Sequence, residues 1–111
     1  MPTRDIDKLT EAEAERLHWL IQEAGEVVQA ATKVLIHGKH SRHPNGGPTN
    51  IERLEDEIGN LYAAVGLMFQ EADTSPHMIN RMIARKIHEP FYLHHNTFSD
   101  STKADSEKFL T

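Results

Sequence analysis

The 111-residue chain has no cysteine. This excludes a disulfide framework, a thiolate-ligated zinc site and thiol catalysis, and it suits a reducing compartment. Long hydrophobic runs are also missing: none approaches the roughly 20 residues of a membrane span. The opening Met1-Pro2-Thr3-Arg4-Asp5 lacks signal-peptide character. The expectation is a soluble, cytoplasmic protein with no membrane partner. Positive charge is in deficit, with 12 Lys and Arg against 17 Asp and Glu and a net charge of −5. With no long basic run, binding to a nucleic-acid polymer is not expected. No stretch alternates convincingly as a strand. Hydrophobic residues at 38% and charged residues at 26% describe a polar but globular chain with length for a single core.

Helix signals are abundant. Thr10 with Glu13 forms a capping box, and Leu17, Leu20, Ile21, Ala24, Val27, Val28, Ala31, Val34 and Leu35 follow at spacings of three and four. Gly38 stands where a left-handed cap would end the helix. Lys39 to Pro48 holds Pro44, Asn45, Gly46 and Gly47 and reads as a loop. A second box, Thr49 with Glu52, opens a stripe of Ile51, Leu54, Ile58, Leu61, Tyr62, Val65, Met68 and Phe69. Ser75-Pro76 starts a third helix that stops before Pro90. Together these predict an all-α fold: two long antiparallel helices with paired apolar faces, plus a shorter third helix. So few helices enclose little core alone, so completion by homo-oligomerisation, as a dimer or tetramer, is expected. Residues 1–95 read as one domain, and the polar stretch 96–111 as a tail that is mobile or docks on a partner subunit.

A helical wheel sets a second face apart from the apolar stripe. Helix one gathers Trp19, Glu23, Glu26, Ala30 and Lys33 there, and helix two gathers Arg53, Glu57, Asn60, Ala64 and Leu67. Glu23 and Glu57, Glu26 and Asn60, and Ala30 and Ala64 share one offset of 34 residues, a weak internal repeat. A Glu-x-x-Glu pair by itself reads as a solvated face. Trp19 beside it, the small alanines and the matching acid-x-x-amide pair argue for a site. Convergent faces would set three carboxylates and one amide around a point, hard oxygen donors suited to Mg²⁺ or Mn²⁺ with substrate phosphates completing the shell.

The runs Leu20-Ile21-Gln22-Glu23-Ala24-Gly25-Glu26-Val27-Val28-Gln29-Ala30-Ala31 and Leu54-Glu55-Asp56-Glu57-Ile58-Gly59-Asn60-Leu61 resemble the MazG-like branch of the all-α nucleoside triphosphate pyrophosphohydrolases. Ala31-Thr32-Lys33-Val34-Leu35, His37-Gly38 and Tyr92-Leu93-His94-His95 extend the likeness over roughly residues 17 to 95. The resemblance implies Mg²⁺-dependent hydrolysis of a nucleoside triphosphate, often a deoxynucleotide, to monophosphate and pyrophosphate. It implies nucleotide-pool cleansing in a bacterial cytoplasm, or in the host cytoplasm for a phage-encoded chain. By carry-over, Glu23, Glu26 and Glu57 are the metal ligands and catalytic carboxylates. Asn60 stands where the family pattern has aspartate: an amide oxygen still coordinates Mg²⁺ but brings neither charge nor a base. Asp56, one turn earlier, compensates only from a less favourable angle.

Substrate contacts are expected from Trp19, by stacking on a base, from Lys33 and Lys86 toward phosphate, and from Tyr92. Each has a plainer reading, as surface charge for the lysines and as core or interface for the aromatic residues. Arg81 and Arg85 are further phosphate candidates. His37, His40 and His43 read as a solvated loop that moves with substrate, rather than as a metal cluster. Two rival readings accompany the hydrolase: a nucleotide-binding or regulatory dimer with weakened catalysis because of Asn60, and a helical interaction module with a solvated acidic face.

Overall fold

The computed structural model describes residues 8–89 and 93–110. They form helix α1 (Glu11–His37), α2 (Asn50–Gln70), α3 (Pro76–His88) and α4 (Asp100–Ser106), then a single 3₁₀ turn, Glu107–Phe109. There is no β-strand among the described residues; one isolated bridge joins Arg42 and Thr49. No helix among them is long and apolar enough to cross a membrane.

Helix starts lie where local chemistry puts them. Thr10 Oγ1 accepts from the Glu13 amide while Glu13 Oε1 accepts from the Thr10 amide. The same exchange opens α2: Glu52 Oε1 accepts from the Thr49 N–H at 2.9 Å and from its hydroxyl at 2.8 Å. Ser75 caps α3 with Pro76 at its first position. Gly38 ends α1 at φ 90° and ψ 163°. That is not the left-handed helical cap expected; it is the mirror-extended region open essentially to glycine alone, and it sends the chain straight into the loop.

The chain divides into two compact units, residues 1–71 and 72–111. Within the second unit the stretch expected as a polar tail carries α4. Ser99 caps it, and His88 Nε2 ties it to α3 by hydrogen bonds with Ser106 Oγ at 2.9 Å and with Lys103 O at 3.1 Å.

The first unit is the antiparallel α1–α2 hairpin. Arg16 lies 3.9 Å from Glu71 at one end, and Asn50 Nδ2 donates to Gly38 O at the other. The seam uses Leu20, Glu23, Val27, Ala30 and Val34 against Leu54, Glu57, Leu61, Ala64 and Met68, all buried or half-buried. These recur at alternating spacings of three and four, as in coiled-coil packing. The expected pairing of the whole apolar stripes is thus corrected. Ile21, Val28, Leu35 and Tyr62 belong to those stripes yet are exposed, Leu35 by 87% and Tyr62 by 72%. The helices approach on small side chains, so the seam takes only one edge of each stripe and runs on into the neighbouring alanine and glutamate positions.

The Thr49 cap gives a testable energetic term. Its amide N–H first, then its hydroxyl and the charge of Arg42, hold the Glu52 carboxyl below the usual glutamate range. Stability from this box is complete above the ordinary value of about 4.3 and fades as pH falls through the lowered folded value. Thr49→Ala should lower stability by about 1 kcal/mol at neutral pH, read by thermal melts. Glu52→Gln should flatten the acid side of the stability profile; an unchanged slope below pH about 4 would remove Glu52 from the cap.

Candidate functional site

Two helices advancing 1.5 Å per residue in opposite directions, with Arg16 beside Glu71 and Asn50 at Gly38, bring Glu23 level with Ala64 and Glu57 level with Ala30. Glu23, Ala30 and Ala64 are buried and Glu57 half-buried, as this register requires. The 34-residue offset in the sequence therefore becomes a local pseudo-two-fold axis, with each carboxylate packed opposite an alanine. Small partners leave room beside the carboxylates, and they explain why glutamates occupy seam positions.

Glu23 retains 9% of its surface. Its Oε1 accepts the Trp19 indole N–H at 3.1 Å. That bond fixes the carboxylate's orientation and holds the half-buried indole against the same helix. Glu26 is half-buried and Asn60 exposed; both stand on one broad side of the hairpin. Measured along the helix axis, Glu23, Glu26, Asn60 and Glu57 span about 11 Å at 1.5 Å per residue. Among the described residues, no three His, Asp or Glu side chains form a group arranged to hold a metal ion. Their donor chemistry suits Mg²⁺, but one chain strings the quartet along the seam instead of closing it around a point.

The substrate candidates separate. Trp19 is committed to Glu23. Lys33 lines a cleft of about 430 Å³ between the end of α1, the loop and the start of α2. Lys86 belongs to the other unit, where its Nζ pairs with Glu89 at 3.1 Å; Arg81 and Arg85 share its helix and are exposed. Tyr92 lies outside the described residues. All three loop histidines are exposed, and His37 and His43 line the cleft with Lys33.

Sequence reasoning missed the contribution of Arg42 and Arg53 to that cleft. The available signal was two arginines flanking Gly46-Gly47, whose positive φ angles of 92° and 98° double the chain back. Comparison with protein-family models, with curated proteins and with solved structures finds no match for this chain.

Proposed function

We propose that this protein is a Mg²⁺-dependent nucleoside triphosphate pyrophosphohydrolase working as a homodimer or tetramer, with deoxynucleotides its first expected substrates. The observation that carries the reading is Glu23: a carboxylate kept almost buried at a helix seam, opposite alanine and oriented by an indole N–H. Burying a carboxylate is unfavourable, and an aliphatic residue would pack this seam better. The placement of Glu23 and of its pseudo-symmetric mate Glu57 at such seam positions supports a chemical role.

Glu23, Glu26 and Glu57 would hold the ion, with Asn60 contributing an amide oxygen. A bound Mg²⁺ neutralises phosphate charge and makes a coordinated water more acidic. Trp19 restricts the Glu23 carboxylate to one orientation, which is the preorganisation such a site needs. Lys33 offers a cation toward the phosphates. Mn²⁺ has similar ligand preferences and would substitute.

Oligomerisation belongs to this reading. The pseudo-two-fold axis stands perpendicular to the hairpin plane, so Ile21, Val28 and Leu35 share one broad face with Tyr62. A second copy covering that face would complete the core.

A second reading rests on Asn60: a nucleotide-binding or regulatory dimer that does not turn its ligand over. Pyrophosphate release from a panel of NTPs and dNTPs, with Mg²⁺ or Mn²⁺, decides between them. Release establishes the hydrolase. Metal-dependent thermal stabilisation by a dNTP without release leaves the binding dimer. Asn60→Asp restores a charge, and magnesium affinity should rise about tenfold, equivalent to about 1.4 kcal/mol. Identical magnesium titrations for the two forms would remove Asn60 from the ligand set.

A further inference from the structure

We propose that the loop end of the hairpin is a metal-independent binding site for a phosphorylated small molecule carrying at least two linked phosphoryl groups. This goes beyond the hydrolase reading, with which it shares only Lys33. The cleft of about 430 Å³ falls in the size range of small-molecule sites. Its lining brings Lys33, Arg42 and Arg53 together with His37, His43 and Asn50. In a chain whose net charge is −5, three cations around one concavity are a local reversal of the overall field.

The cleft is a built feature of the fold. Asn50 is buried; its amide N–H donates to Ser41 O at 2.9 Å, and its side chain donates to Gly38 O at 3.1 Å. Ile51 N–H donates to Lys39 O at 2.9 Å, and the Arg42–Thr49 bridge closes the loop. Arg42 Nη1 donates to Gly47 O at 3.3 Å, which steadies one guanidinium at the rim. A Cβ on Gly47 would sit 3.6 Å from Arg53 Nη2, so the Gly46-Gly47 turn runs close beside the second guanidinium. His43 Nδ1 accepts the Asn45 N–H at 3.2 Å, which leaves its Nε2 as the hydrogen-bonding donor. Glu52 acts electrostatically on Arg42, but its carboxylate is engaged by the Thr49 cap.

Among the described residues, no ion pair engages Lys33, Arg42 or Arg53. Guanidinium groups recognise phosphate oxygens in paired, charge-assisted hydrogen bonds, and lysine adds a point charge. Three cations and two imidazoles exceed what one phosphoryl group can engage, so a pyrophosphate or triphosphate chain is the matching ligand. Its source is either a nucleotide tail or free pyrophosphate.

Calorimetric titration of the full chain in EDTA tests this, with pyrophosphate, orthophosphate, dATP, deoxyadenosine and a single-stranded thymidine oligonucleotide as probes. Pyrophosphate and dATP should bind, with orthophosphate and deoxyadenosine at least about tenfold weaker. A preference for dATP over pyrophosphate assigns the nucleotide tail, and the reverse assigns the free anion. Lys33→Gln and Arg53→Gln, both exposed in the fold, should melt as the wild type does and each weaken pyrophosphate by about tenfold or more. Glu23→Gln should bind pyrophosphate in EDTA like the wild type even if its hydrolysis is lost, which separates this site from the carboxylates. Absence of pyrophosphate binding in EDTA, wild-type affinity in both cation variants, or equally tight binding of the oligonucleotide would each overturn the proposal.

Discussion

Glu23→Leu should melt above the wild type and release no pyrophosphate. The two effects share a cause. Glu23 occupies a seam position with 9% of its surface left, opposite Ala64 and between Leu20 and Val27 on the same helix face. Burial of a leucine side chain is worth about 1.5–3 kcal/mol, and the substitution also removes the unfavourable burial of a carboxylate. Against this, the Trp19 N–H loses its acceptor, a loss of about 1 kcal/mol for a half-buried donor with access to water. The balance is a gain of about 1 kcal/mol, or roughly 4–8 °C for a unit of this size, compared at equal protein concentration. Under the proposed hydrolase reading, activity should fall at least about a hundredfold, because the metal would lose one of its ligands. Glu23→Gln serves as the near-isosteric control, keeping an oxygen acceptor for Trp19 while removing the charge. If Glu23→Leu destabilises and leaves pyrophosphate release intact, the carboxylate is a structural partner of Trp19, and the hydrolase reading loses the observation that carries it.

What the sequence made legible was local. Thr10 with Glu13, Thr49 with Glu52, and Ser75 with Pro76 announce helix starts because a cap is satisfied within four residues, and the helices begin at Glu11, Asn50 and Pro76. The start of α4 has a comparable signal, since Ser99 Oγ accepts from the Thr102 amide. The Ser, Thr and Asp around it gave the segment the composition of a tail, which hid that signal. The hairpin seam was harder to see. Apolar periodicity from Leu17 to Leu35 is broad enough to serve two neighbours, and it does not reveal which arc faces α2. The seam selects small residues, Ala30 and Ala64, and tolerates glutamate beside them; a hydrophobicity pattern ranks both below Ile21, Val28 and Leu35. The cleft was least visible. It depends on Asn50 reaching back to Gly38 and on the Gly46-Gly47 turn passing Arg53, contacts that no periodicity encodes. The proposed metal ligands occupy an intermediate position: their wheel angles fit one side of a hairpin, while their spread along its axis appears only once the register is known.

Leu35→Asp and Val28→Asp should each convert the protein to a 12.6 kDa monomer in light scattering at concentrations where the wild type has at least twice that mass. Leu35 is 87% exposed and Val28 lies two turns earlier on the same stripe. Neither contributes much to the hairpin seam, so helix content should be retained in both variants. In a symmetric dimer each substitution occurs twice, forfeiting about 1.5–3 kcal/mol of apolar burial per copy and placing two carboxylates in an apolar contact. A loss of about 4 kcal/mol weakens association by about a thousandfold. Tyr62, exposed on the same broad face, offers an independent check, since Tyr62→Asp should act in the same direction from the other helix. A wild-type mass equal to one chain would eliminate the second copy as the occupant of this face. Dissociation also reports on the carboxylates. In one chain the quartet extends along the seam without forming a metal-holding group among the described residues. If completion requires the second copy, pyrophosphate release and magnesium affinity should both fall with the dimer fraction. Full release by the monomeric variants would make each hairpin an autonomous site, with the apolar face serving stability alone.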